Sequence, residues 1–213
     1  MFKNTIFRRM TALVLTLALA AAAALPGLAV YPMPIQTASE TEAVYLFNAD
    51  TGKTILNQNA GQQQYVASLT KLMTALLLLE SGKDLNGEVT VPTALTQEFR
   101  DIQNANGTTM GLRIGETVRR IDLLNALLIT SANDAASVIA WDVGGSLNAF
   151  IQQMNARAAE LGCTSATFTC AHGLYDYGNV ASAEDMAKIA AACAANETFA
   201  QVAGSTTLSL IHI

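Results

Sequence analysis

Ser68 and Lys71 stand three residues apart in "YVASLTKLMTAL", residues 65–76. A serine hydroxyl becomes a nucleophile only when a base removes its proton, and a lysine is a base only while neutral. Free lysine titrates near about 10.4, so the site has to lower that value. Burial does so by disfavouring the ammonium, and the positive end of a helix acts in the same direction. Placed at the start of a helix, two residues three apart share one face, and the terminal N–H groups are available to an oxyanion formed on attack. The competing reading is a serine cap beside a snorkelling lysine. S-x-x-K is expected on the order of once in a chain of this length, which is how often it occurs here, so the spacing alone does not decide.

Ser131 and Asn133, in "LLITSANDAA", offer a hydroxyl that can relay a proton and an amide that can hold a peptide group. A second S-x-N, Ser146 and Asn148, follows Gly144-Gly145 and reads as a helix cap, so Ser131 and Asn133 are the preferred pair. His172 in "AHGLYDYG" reads as structural, and nothing around His212 suggests a role. Glu80, Glu184 and Asp185 read as surface or capping charges. Two histidines and three cysteines in no ligand spacing suggest neither zinc nor a cysteine nucleophile. Cys163, Cys170 and Cys193 read as small core residues, although Cys163 and Cys170 flank a hairpin-like stretch that a bridge could close.

The elements that must position these groups follow from periodicity. "AVYLFNADTGKTILNQN" gives two β-rich runs around Asp50-Thr51-Gly52, a hairpin. Its "GKT" is not a phosphate loop, because the earlier glycine that motif needs would fall at Phe47. From Ser68 to Ser81, apolar Leu69, Leu72, Met73, Leu76, Leu77 and Leu79 surround nearly the whole helix, which predicts burial. Residues 82 to 117 read as polar and loop-rich. Helical periodicity returns in "VRRIDLLNALLITSA", "NDAASVIAWDV", "LNAFIQQMNARAAELG" and "AEDMAKIAAACAAN", the last capped by Ser182 with Asp185 three residues on.

Of 213 residues, 51% are hydrophobic and 14% charged, enough to bury a core. Residues 1–29 combine a basic start (Lys3, Arg8, Arg9), an apolar run of about 15 residues and small residues after Pro26. That order reads as a secretory signal peptide, the run being short of the roughly 20 residues a membrane span requires. Without residues 1–29, nine Lys and Arg face 17 Asp and Glu, a net charge of −8. Such a surface gives no electrostatic reason to bind nucleic acid or anionic lipid.

"ASLTKLMTALLLLE", "LLNALLITSANDAASVIA", "FIQQMNARAAELG" and "HGLYDYGNVASAEDMAKIA" occur in that order between about residues 43 and 199. They resemble successive landmarks of the serine D-alanyl-D-alanine carboxypeptidases, the low-molecular-weight penicillin-binding proteins. The resemblance implies a mixed α/β penicillin-binding, β-lactamase-like fold, an antiparallel sheet flanked by helices with a mostly helical lobe from about 82 to 180. It implies that Ser68 is acylated, that Lys71 is its base, that Ser131 passes the proton to the leaving D-alanine, and that Asn133 orients the acyl peptide. Substrates would be peptidoglycan stem peptides ending in D-Ala-D-Ala, with penicillins as inhibitors and no cofactor or metal. The protein would work at the extracytoplasmic face of a bacterial membrane, in the periplasm or in the wall.

The family's third motif, K-T-G, supplies a cation for the substrate carboxylate, and residues 134–213 contain no match. The expected organisation is therefore a signal peptide (1–29), a lead-in (30–42) and a partial catalytic domain (43–213) lacking its C-terminal strands, inactive by itself. A C-terminal segment absent here would provide any membrane association. Two alternatives stand beside this reading. One is a β-lactamase-like enzyme, for which no glutamate-bearing loop is found between Ala136 and Phe199; the other is a non-catalytic peptidoglycan-binding homologue.

Overall fold

A computed structural model describes residues 39–174 and 176–205. The predicted signal peptide, most of the lead-in and His212 lie outside the described residues. The first element is the expected hairpin. Strand β1 (Val44–Phe47) pairs antiparallel with β2 (Thr54–Gln58), with a register shift between Leu46 and Phe47. Asn48 closes its turn by accepting the Thr51 N–H on Oδ1 at 2.8 Å, and Gly52 takes the positive φ of +67°. Two further antiparallel pairs are short: β3 (Gln64–Tyr65) with β6 (Val180–Ala181), and β4 (Glu88–Thr90) with β5 (Thr117–Arg119).

The core is helical. Helix α1 (Thr70–Glu80) buries Met73, Ala75, Leu76 and Leu78 and packs against α4 (Asn133–Gly144), α5 (Leu147–Glu160) and α6 (Ala183–Ala194). Ala135, Ala136 and Ala140 on α4 are wholly buried, so small side chains let the α4 backbone approach its neighbours. Leu72, Leu77 and Leu79 are partly buried and also pack on the core, so α1 is covered nearly all round, as its sequence suggests; Leu69, in the turn just before it, is half-exposed. Glu80 at the end of α1 meets Arg157 of α5 at 2.8 Å, a surface ion pair of small worth.

The stretch 82–117 is loop-rich, as expected, but within it lie β4 and α2 (Thr96–Asn104), which buries Ile102 with Leu95 just before it. Leu95, Phe99 and Ile102 recur at helical spacing, a narrow apolar stripe on an otherwise polar helix. Asp185 is no surface charge, being buried and accepting the Thr164 and Ser165 N–H groups and the Ser165 hydroxyl. Its own N–H goes to the Ser182 cap at 3.1 Å. Ser146 likewise caps α5 by accepting from the Ala149 N–H, as its sequence context suggests.

The junction before α4 is irregular. Helix α3 (Arg120–Asn125) runs into a π-helical turn, Ala126–Thr130, and Ser131 then turns left-handed at φ +58°. The Ala132 N–H returns to the Ala126 carbonyl at 3.1 Å and closes the turn. A non-glycine residue in that region is strained, and such strain tends to collect at functional sites.

Candidate active site

Three side chains on one face of α1 stitch the helix to the loop that follows Thr167. Thr74 donates to the Ala171 carbonyl at 2.6 Å, Lys71 to the His172 carbonyl at 2.6 Å, and Thr70 accepts from Asn179 Nδ2 at 2.8 Å. Thr70, Lys71 and Thr74 are all buried. The loop comes so close that a Cβ on Gly173, whose φ is +77°, would run into the Ala67 carbonyl. Ala67 is itself left-handed at φ +44°. Glycine at 173 thus permits the contact that fixes the backbone just ahead of Ser68.

Ser68 lies within a single 3₁₀ turn, Ala67–Leu69, rather than at the first turn of the α-helix. The Leu69 N–H bonds to Val66 and the Thr70 N–H to the Ala67 and Ser68 carbonyls. Those two N–H groups are committed to the turn and are not available to an oxyanion.

The four residues singled out by motif form one network. Lys71 Nζ is 3.3 Å from Ser68 Oγ and 2.8 Å from Asn133 Oδ1, and Ser131 Oγ donates to Ser68 Oγ at 3.1 Å. Asn133 sends both its backbone N–H and its Nδ2 to the Thr108 carbonyl, at 2.8 and 2.9 Å. Because an ammonium or amine here donates to Asn133, the amide oxygen must face Lys71. The neighbouring Asp134 accepts the N–H groups of Met110, Gly111, Leu112 and Ala135, which clamps the loop after Thr108 against the start of α4.

Lys71 is 3% exposed, and burial lowers its pKa to about 8, opposed in part by the sulfur of Cys170. Its three acceptors match the three protons of an ammonium. As a neutral amine it can keep donating to Asn133 and His172, and its lone pair is then left for the Ser68 proton. Ser68 Oγ, relieved of that proton, still receives the Ser131 hydroxyl. The arrangement can therefore generate a serine nucleophile and hold a path for the proton afterwards.

Ser68, Lys71 and Ser131 open into a cavity of ≈ 370 Å³ whose other wall includes Leu69, Leu127 and Leu128. The other S-x-N stands apart, with Ser146 spent as a cap. Thr108, Asp134 and the His172 carbonyl carry no motif of their own. Only the adjacency of Asp134 to Asn133, and the "HGL" run, point toward them. All three cysteines are free, so the Cys163–Cys170 bridge left open by the sequence is not formed.

The sequence pattern of the D-alanyl-D-alanine carboxypeptidase family matches residues 32–207. The D-alanyl-D-alanine carboxypeptidase DacF of Bacillus subtilis (strain 168) is 32% identical over 158 residues, which cover 73% of this chain and 39% of that protein. The D-alanyl-D-alanine endopeptidase of Pseudomonas aeruginosa is 32% identical over 157 residues, 74% of this chain and 48% of its own. The chain thus spans less than half the length of these relatives. Among solved structures, the S216A mutant of the Streptomyces K15 DD-transpeptidase superposes with a TM-score of 0.69 at 30% identity, covering 74% of this chain and 62% of that one. A D-alanyl-D-alanine carboxypeptidase from Mycobacterium tuberculosis H37Rv gives 0.66 at 31% identity, covering 74% and 57%.

Proposed function

The chain belongs to the D-alanyl-D-alanine carboxypeptidase family, and on that premise we propose that it carries the acylation centre of a serine hydrolase that removes the terminal D-alanine from peptidoglycan stem peptides. The observation that supports this most is the buried Lys71, bonded at once to Ser68, Asn133 and the His172 carbonyl.

The neutral amine of Lys71 takes the Ser68 proton as Oγ attacks the carbonyl of the D-Ala-D-Ala bond. The tetrahedral adduct collapses when the departing amine is protonated. Ser131, bonded to Ser68 Oγ and open to the same cavity, is the group placed to deliver that proton. Asn133 holds Lys71 in line. The apolar wall of Leu69, Leu127 and Leu128 suits methyl-bearing D-alanine residues. Water then attacks the Ser68 ester to free the shortened peptide. A penicillin would acylate the same oxygen. The cation for the substrate carboxylate belongs to K-T-G in the family, and the residues at hand do not contain it, so the proposal concerns the acylation centre. An extracytoplasmic location is part of the same reading, supported by the basic, apolar and small-residue order of residues 1–29.

Release of D-alanine from diacetyl-Lys-D-Ala-D-Ala by the full-length protein tests this reading. Release that vanishes in Ser68→Ala supports it; undiminished release by that variant would sink it.

A further inference from the structure

Lys71 is gripped from two separate walls. Asn133 Oδ1 stands at the start of α4, and the His172 carbonyl belongs to the loop that follows Thr167. Glu98, on α2, touches both walls. We propose that Glu98 is a positioning residue for the Ser68 centre, one of its carboxylate oxygens tying the His172 loop to α4 so that Lys71 keeps both acceptors in place.

The tie is made at a single atom. Glu98 Oε1 lies 3.0 Å from His172 Nε2 and accepts the Ser137 hydroxyl at 2.9 Å. Ser137 is wholly buried one turn after Asn133, and its Oγ is also 3.3 Å from the Asn133 carbonyl. The His172 ring is fixed from its other side too, where Nδ1 accepts the Leu174 N–H at 3.1 Å. A lone pair at Nδ1 puts the ring proton on Nε2, so the imidazole donates to Glu98. A carboxylate oxygen can accept two such bonds, and this one does. The chain of bonds therefore runs from α4 through Glu98 and the His172 ring to the residue whose carbonyl holds Lys71.

Packing alone does not make this connection. Glu98 and His172 line one cavity of ≈ 370 Å³, with Ile102, Leu147, Ile151 and Thr169 also on its walls. A hollow supplies no close packing to fix the separation of its walls, so the charge-assisted hydrogen bonds to Glu98 set it.

The consequence falls on the direction of a lone pair. As a neutral amine Lys71 has two protons, and bonds to Asn133 and the His172 carbonyl aim its lone pair at Ser68 Oγ, 3.3 Å away. If the carbonyl drifts, that aim is lost although Ser68, Lys71 and Asn133 are all still present. A misplacement of about 1 Å can cost about 10²-fold in rate. Glu98 is not on the wall of the cavity beside Ser68, so the affinity for a ligand bound there should not change.

The effect on Ser68 rests on the proposed acylation centre, and the test separates the two. Acylation of the full-length protein by a fluorescent penicillin is resolved into a noncovalent Kd and a first-order acylation rate. Glu98→Ala should lower the rate about tenfold or more and leave Kd within about twofold. Glu98→Gln keeps an accepting oxygen and should return most of the loss. Ser137→Ala removes one arm and should lose less, and adding it to Glu98→Ala should cost nothing further, because it acts through the same atom. Exchange of the Leu174 N–H, followed by NMR, should quicken in Glu98→Ala and slow again in Glu98→Gln. Acylation of Glu98→Ala at the parent rate, a loss that lies in Kd, or a Gln variant no better than Ala would overturn the proposal. If the parent takes no penicillin, the acylation reading fails, while unchanged Leu174 exchange in Glu98→Ala would still overturn the tie and quickened exchange would support it. The Glu98 side chain is 23% exposed, so its removal should leave a folded protein. Should it not, Ser137→Ala decides, and parental rate and exchange in that variant would overturn the proposal.

Discussion

Acylation of Ser68 should follow the deprotonation of Lys71. With its pKa at about 8, Lys71 is neutral in about 1% of molecules at pH 6, about 10% at pH 7 and about half at pH 8. A lysine left at 10.5 would be neutral in only about 0.03% at pH 7, so burial raises the competent fraction there roughly 300-fold. The sign follows directly: the base acts when unprotonated, so the rate rises with pH and levels off above about 8. The second-order rate constant for a fluorescent penicillin, measured from pH 6 to 9, should climb nearly tenfold between 6 and 7. Asn133→Asp sharpens the test. It sets a carboxylate 2.8 Å from Nζ in a buried place, which favours the ammonium and should move the rise to higher pH. A rate flat from pH 6 to 8, or an unmoved midpoint in Asn133→Asp, would refute the role of Lys71.

Ser131→Ala and Asn133→Ala should each slow D-alanine release by about 10²-fold or more, whereas Ser146→Ala and Asn148→Ala should leave it unchanged. Ser146→Ala should still cost about 1 kcal/mol in thermal stability, because it removes the cap of α5. Gly173→Ala should impair acylation and lower the melting temperature, since a methyl there meets the Ala67 backbone and φ is +77°. A variant that melts and acylates like the parent would show that the 173 loop does not set the position of Ser68.

The site was readable where its chemistry is local. Ser68 and Lys71 are three apart, and Ser131 and Asn133 two apart, so the pattern nominates them and the run of longer landmarks around them selects them. Their supports come from far along the chain: Lys71 reaches a carbonyl 101 residues away, and Asn179 reaches Thr70 across 109. Such partners leave no periodic trace. The π turn and the left-handed Ser131 are equally silent, because packing imposes them against ordinary propensity. Among the elements, hairpin β1–β2 and helices α4 to α6 follow from alternation, periodicity and caps. Helix α2 escaped because only a narrow stripe of Leu95, Phe99 and Ile102 marks it within polar surroundings. Asp185 is legible as the partner of the Ser182 cap but not as a buried acceptor, because an acid in a first helical turn usually faces water, whereas here the 164–165 turn folds onto it.

The most direct measurement is the location of a penicillin adduct by mass spectrometry on the full-length protein, with Ser68→Ala in parallel. A single penicilloyl group on the peptide carrying Ser68, absent from the variant, is the expected result. An adduct on any other residue, or unaltered labelling of Ser68→Ala, would contradict the assignment of Ser68 as the nucleophile.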